Sequence, residues 1–441
     1  MKRIRRFGID SQHRIAFYLN RLRERLWVKP LFFCILSIGV AFLAGLADHV
    51  APGLKVPDIS AASIETLLTI ISSSMLVIAV FAAGAMLSAY TSASSIATPR
   101  SFSLVVADDV SQNALSTFLG AFIFSIVGLV ALLNGFYQQA GRFLLFLLII
   151  VVFAIVILSF VRWVDRIARL GRLGTSILKV EKATASAMKM RAAHPTMQAA
   201  RGQGGSKGTP LQSGRVGYVQ RIDMEKLQRL AEKGRIRIVV AALPGAFACS
   251  GKPLAYIETE AGADQVIDDE SLCEAFEIGN DRTFDEDPRF GLVVLSEIAS
   301  RALSPAVNDP GTAIDVIGSL VRLFTLWART APDSAVSDTY YDRIEIAELS
   351  IDDMFEDAFS AIARDGASML EVAIRLQKGL YSLTQLGSQA MGQAAADQAA
   401  LAEKYAEAAL RLPEEVERLK AVSRRTVQRG LSGDKDGEAG E

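Results

Sequence analysis

Nineteen consecutive residues, FLLFLLIIVVFAIVILSFV at 143–161, carry no charge, no proline and no glycine. A helix of that length crosses about 28 Å, close to the hydrocarbon thickness of a bilayer. Soluble helices keep a polar face over such a distance, so the run predicts a membrane span and divides the chain into a membrane half and a soluble half. Arg162, Trp163, Arg166, Arg169 and Arg172 follow, an aromatic and then cations, as where a helix emerges on the cytoplasmic side.

Apolar stretches at 31–47, 64–87 and 115–133 have the same character. The chain is 51% hydrophobic over 441 residues, room for a membrane domain and one or two soluble units. Lys and Arg decide the orientation. They crowd residues 1–30 and the segment after Val161, whereas the two loops assigned outside hold only Lys55 and Arg142. Both termini are therefore expected in the cytoplasm. Within 1–30, Ile15, Leu19, Leu22 and Leu26 recur at helical spacing against Arg14, Arg21 and Arg25. That pattern reads as an amphipathic leader on the membrane surface or as a basic disordered tail. The net charge of −1 hides an acidic stretch at 258–365 beside these basic segments, which suits anionic lipid and argues against a nucleic-acid-binding face. Cys34, Cys249 and Cys273 are odd in number and far apart, so neither a disulfide framework nor a metal cluster is indicated.

The loop at 88–113 is rich in Ser and Thr, with Asp108 and Asp109 near its end. Residues 164–216 read as a basic helix followed by a Gly-rich linker. From 217 to 267 the pattern is of short strands around one helix. Strands fall at 218–222, 246–249 and 254–257, the helix at 224–233 is closed by Gly234, and Ile236, Ile238 and Val240 share one face of a further strand. Residues 268–429 read as a helical domain and 430–441 as a disordered polar tail. The expected fold class is a membrane α-helical domain over 31–163, with four transmembrane helices, joined to a cytoplasmic α+β part. That part is a small β-rich unit followed by the helical domain.

ATPRSFSLVVADDVSQNALSTFLGAF at 97–122 and DRTFDEDPRFGLVVLSEIASRALSPAVNDPGTAIDVI at 281–317 together resemble the bacterial membrane proteins grouped as domain of unknown function 2254. Gly217-Tyr218-Val219 and the Gly-punctuated strands also fit, and the likeness runs to about Leu383. ALSPAVNDP is its most specific part, and the insert at 201–214 departs from it. The resemblance implies an architecture and a place in a bacterial inner membrane. It implies no activity and transfers no catalytic residue.

Several segments are candidate sites. In ALSPAVNDPGT at 302–312, Pro305 ends a helix whose buried side is Leu292, Leu295, Ile298 and Ala299, and Asp309 caps a new one with Pro310 at its first position. The segment is either a hinge between packed helices or a polar pocket. In the pocket, Arg282, Arg301, Asn308, Asp309 and Thr312 converge on a small anion or polar ligand, helped by the free amides of the new helix. Asp268, Asp269, Glu270, Asp281, Asp285, Glu286 and Asp287 lack the spacing of a calcium loop and read as a solvated acidic face. Ala187-Met188-Lys189-Met190 looks like a biotin or lipoyl attachment motif, but the strand pair at 244–258 follows it in the wrong order for a carrier domain.

In the membrane, Ser72, Ser73 and Ser74 fall mid-span, and Ala121, Ser125 and Gly128 make a small-residue face. These read as helix contacts or as a pore lining. No charge sits at the bilayer centre, which argues against a proton-coupled carrier with an acidic relay. His13, His49 and His194 are scattered, and no phosphate-cradling loop, nucleophile elbow or zinc spacing is present, so no catalytic residue, metal or cofactor is assigned. Two functions of different class follow. One is a homo-oligomeric channel gated by the cytoplasmic domain; the other is a membrane-anchored scaffold or sensor that binds a cytoplasmic protein or small ligand. A membrane-bound enzyme comes third, separable by activity of the fragment 217–429.

Overall fold

A computed structural model describes residues 27–50, 56–96, 98–101, 104, 109–170, 173–202, 208–259, 268–330, 339–386 and 388–430. The leader read at 1–30 and the tail read at 430–441 lie almost wholly outside the described residues. The chain forms two compact units, Met1–Ser176 and Ile177–Glu441.

The first unit packs α1 (Val28–Val50), α2 (Ala61–Ile96), α3 (Asp109–Leu133) and α4 (Gln139–Leu170). Each outlasts the apolar run that predicts it. α2 continues into the Ser- and Thr-rich segment read as a loop, where Thr91 turns its hydroxyl back onto its own helix and donates to the Leu87 carbonyl at 2.9 Å. α3 lies against α1, α2 and α4. Leu68, Phe118, Phe124 and Leu145 fill the interior, while Ile70, Val77, Phe81, Ile150 and Leu158 face outward. The small-residue face of α3 is a helix contact, with Ala121 and Ser125 buried and Gly128 against Leu68 and Leu145. Asp48 lies in the last turn of α1. Its carboxylate accepts from the backbone N–H groups of Gln138 and Gly141, both at 2.8 Å, and so caps the start of α4.

Five helices among the described residues are long and apolar enough to cross a membrane, by length and composition alone. They are Val28–Leu46, Ala61–Thr91, Val110–Leu133, Gln139–Ile167 and Pro310–Thr330. The sequence reading counts four; the fifth belongs to the second unit.

α5 (Leu173–Ala193) enters that unit at Ile177. Ile177, Val180, Thr184, Ala187, Met188 and Arg191 recur at helical spacing and are buried. The Ala-Met-Lys-Met segment is thus helical and not the tip of a hairpin. Next come β1 (Ala199–Arg201), β2 (Thr209–Gln212), β3 (Gly217–Ile222), α6 (Met224–Gly234), β4 (Ile236–Val240), β5 (Phe247–Ala248), β6 (Pro253–Thr259), α7 (Asp269–Cys273) and β7 (Phe276–Gly279). The closing residue of α6 is Arg235, at φ 49° and ψ 47°, not Gly234; its N–H donates to the Ala231 carbonyl.

α8 (Pro288–Ala302) and α9 (Pro310–Thr330) precede β8 (Tyr341–Ile346), and α10 (Ile351–Asp365), α11 (Leu370–Thr384), α12 (Gln389–Ala409) and α13 (Pro413–Gly430) follow it. One sheet has the order β1-β8-β4-β6-β2 and the other β5-β3-β7. β8 runs parallel to both neighbours, with Ile344 opposite Ile238 and Ile346 opposite Val240. The strands therefore exceed the 217–267 limits: β1 and β2 fall in the segment read as linker, β7 and β8 in the segment read as helical. Strands this short carry too little alternation to stand out from their surroundings. Among the helices, α8 packs on α9 and α10, and α11 packs on α9, α12 and α13. The rings of Phe324, Phe355 and Phe359 pack together at centroid distances of 4.3, 5.6 and 5.6 Å.

Candidate functional site

Proline at the first position of α8 leaves its start to be capped from Asp287, whose Oδ1 accepts from the Phe290 N–H at 3.1 Å. Arg282 grips the same carboxylate with Nε, 2.8 Å from Oδ2, and Nη2, 3.1 Å from Oδ1. Its guanidinium carbon lies 5.3 Å from the centre of the Phe290 ring. Gly245, at φ +93°, brings the turn before β5 so close that a Cβ there would overlap the Asp287 carboxylate. Glu286 meets a second set of partners. Arg221 of β3 places Nε 3.4 Å from its Oε1, the Ile222 N–H donates to its carboxylate, and Arg191 in the last turn of α5 donates to its main-chain carbonyl at 3.3 Å.

Three guanidinium groups and two carboxylates thus meet where α5, β3 and the 281–287 loop join α8. Arg191 is 5% exposed and Asp287 3%. The Glu286 side chain as a whole is 24% exposed, yet its Oε2 is sealed from solvent, and neither that oxygen nor Nη1 of Arg191 has a hydrogen-bond partner among the described residues. Burial pushes the Glu286 carboxyl up to about 7, against the pull of Arg221 and Arg191. Burial likewise raises Asp287, opposed by Arg282, and lowers Arg191, opposed by Glu286 and Asp287. A carboxyl held this way can take up or release a proton near neutrality.

α5 is fixed to this unit at two further points. Glu181 receives Nε and Nη2 of Arg322 from α9, each at 2.7 Å. Burial raises the Glu181 carboxyl, but hydrogen bonds from Arg322 and Ser319 hold it below its ordinary value. Between the two ends, Gly291 of α8 leaves no room for a Cβ against Thr184. α8 is tied on its other side to α10 by Arg289, which donates to Asp353 at 2.5 Å and to Asp357 at 2.6 Å.

Of the residues singled out by sequence, Asp309 and Thr312 are brought together. Asp309 accepts from the Thr312 N–H at 3.1 Å and from its hydroxyl at 2.6 Å, the cap expected at Pro310, and these bonds lower the Asp309 carboxyl. Asn308 stands at φ +50° in the turn, exposed like Arg301. Arg282 is taken up by Asp287 and Phe290 instead. Ser72 is buried and donates to the Thr69 carbonyl at 3.0 Å, whereas Ser73 and Ser74 lie on the outer surface of the first unit, Ser73 donating to Thr69 at 2.9 Å.

The acidic stretch divides. Asp268, Asp269, Glu270 and Asp281 are exposed, as a solvated face requires, but Glu286 and Asp287 turn inward to the arginines. Among the described residues no three His, Cys, Asp or Glu side chains are grouped to hold a metal ion. Two signals for the cluster were present in the sequence. Arg191 continues the apolar stripe of α5, and Asp287 stands directly before a helix-starting proline.

A bundle of long apolar helices, with a separate unit of mixed sheet and helix that carries a buried ionic cluster, is the class these features define. The family model described as Predicted membrane protein (DUF2254) matches residues 23–382, and the chain belongs to that family. An uncharacterized protein of Mycobacterium bovis is 34% identical over 133 residues, 29% of this chain and 26% of the relative. An uncharacterized protein of Mycobacterium tuberculosis matches with the same identity over the same shares. The chain thus spans about a quarter of the length of these curated relatives. No solved structure matches it.

Proposed function

We propose that this chain is a four-span protein of a bacterial inner membrane, with both termini in the cytoplasm, acting as a sensor whose cytoplasmic unit passes its state to the membrane helices. The observation that carries this reading is the hold on α5. The chain runs from α4 into α5 across only Gly171 and Arg172, and α5 is gripped along its length by Arg322, Gly291 and the Glu286 loop. The apolar helix at Pro310–Thr330 is read as a bundle helix, because Arg322 is engaged with Glu181 and Phe324 with Phe355 and Phe359. The Lys and Arg asymmetry between loops supports the orientation. Native Cys34 in α1 offers a readout in the membrane unit. Arg322→Glu is expected to change its alkylation rate severalfold, and Glu181→Arg in the same chain to restore it. Unchanged Cys34 labelling in a variant whose α5 has been loosened would remove the sensor reading.

An oligomeric channel is the second reading, favoured by the outward hydroxyls of Ser73 and Ser74, which line a path only where copies meet. Phe118, Phe124, Leu68 and Leu145 fill the interior of a single copy, so the path has to run between subunits. In liposomes, Ser73→Leu is expected to reduce ion flux if that path exists. Equal flux from variant and wild type leaves the channel without its lining.

A further inference from the structure

Gly318 lies in the interior of α9, where glycine weakens a helix relative to alanine. Close packing accounts for such a glycine at a neighbouring point: a Cβ on Gly379 of α11 would press on Val321 and Ile317 of α9 at 3.1 and 3.2 Å. No such packing accounts for Gly318. A Cβ there would have ordinary room and would meet Nη1 of Arg322, 3.5 Å away, and Nη2 of Arg375 from α11, 3.8 Å away. Gly318 therefore opens a small recess onto which one guanidinium group from each of two helices converges. The two cations differ in their state. Arg322 gives Nε and Nη2 to Glu181 and has Asp315 as a second acidic neighbour, so its charge is offset and Nη1 is the nitrogen that faces the recess. Arg375 is exposed and has no hydrogen-bond or ion-pair partner among the described residues. The recess thus carries one uncompensated positive charge.

We propose that the recess over Gly318 binds a phosphate group, held between Nη1 of Arg322 and the guanidinium of Arg375. A planar carboxylate is taken edge-on by a single guanidinium, as Glu181 is by Arg322. The diverging oxygens of a phosphate suit two guanidinium groups that reach one point from separate helices. A small phosphate compound and a lipid headgroup both supply that chemistry. The bound group leaves Nε and Nη2 of Arg322 to Glu181, so it steadies the arginine that holds α5. That consequence rests on the sensor reading above; the binding itself does not.

The test uses the full-length protein in maltoside detergent, which brings no phosphate of its own. One arm is equilibrium dialysis against radiolabelled inorganic phosphate at constant ionic strength; the other adds phosphatidic acid and counts the lipid retained by native mass spectrometry. Saturable binding is expected in at least one arm, undisturbed by acetate. Binding in the first arm assigns a small phosphate compound, and binding in the second alone assigns a lipid headgroup. Arg375→Gln is expected to weaken it roughly tenfold. Gly318→Ala fills the recess and is expected to weaken it severalfold while raising the thermal midpoint, a combination that a merely structural glycine does not give. Saturable binding in neither arm, or equal affinity in Arg375→Gln and wild type, overturns the site. Cys34 alkylation with and without the bound group separates the two ideas: binding with an unchanged rate keeps the site and discards its link to the sensor.

Discussion

Asp287→Ala is expected to lower the thermal midpoint of the full-length protein by roughly 10 °C, from a loss of about 3–5 kcal/mol. One carboxylate accepts three hydrogen bonds: it caps α8 through the Phe290 N–H and receives two from Arg282. Removing it strips the cap and leaves a largely buried guanidinium without its counter-charge, and the second loss dominates. Asp287→Asn keeps an acceptor for Phe290 and is expected to recover part of the stability. A midpoint for the Ala variant within a degree or two of wild type would show that the cluster is not where this unit is held together.

Gly291→Ala should destabilise by about 2 kcal/mol, although Ala is the better helix former by about 1 kcal/mol. The sign is set by packing. A methyl group at this point of α8 runs into the Thr184 side chain, and the two helices must part. Thr184→Gly in the same chain makes the missing room and is expected to restore more than half of the loss. Denaturation of the single and double variants checks both statements; a stabilised Gly291→Ala protein would mean that α5 and α8 are not closely packed there.

The long apolar helices were legible because one property, the absence of charge over a bilayer's length, is local. The run at 143–161 lies inside α4, and the Asp309-Pro310 start of α9 is equally local, a cap and a fixed φ in adjacent residues. The cluster is the opposite case. Arg191 and Glu286 meet across 95 residues of chain, and taken singly each reads as surface charge. Glu286 and Asp287 looked like part of one acidic face, yet neighbouring residues on an irregular segment can point to different partners, here Arg221 and Arg282. β8 escaped for a related reason. Its partners define it, and they are distant: Arg237 on β4 pairs with Glu345, 108 residues further on.

That separation sets the order in which the molecule can be made. β4 and β6 leave the ribosome long before β8, while the place between β1 and β4 in their sheet is still vacant. A nascent chain halted before Tyr341 holds β1 and β4 with open, hydrogen-bond-hungry edges, the state most prone to sticking to its neighbours. The helices α8 and α9 are synthesised in that interval, so they become the loop that must close when the last strand arrives, and closure of the sheet is a late step in maturation.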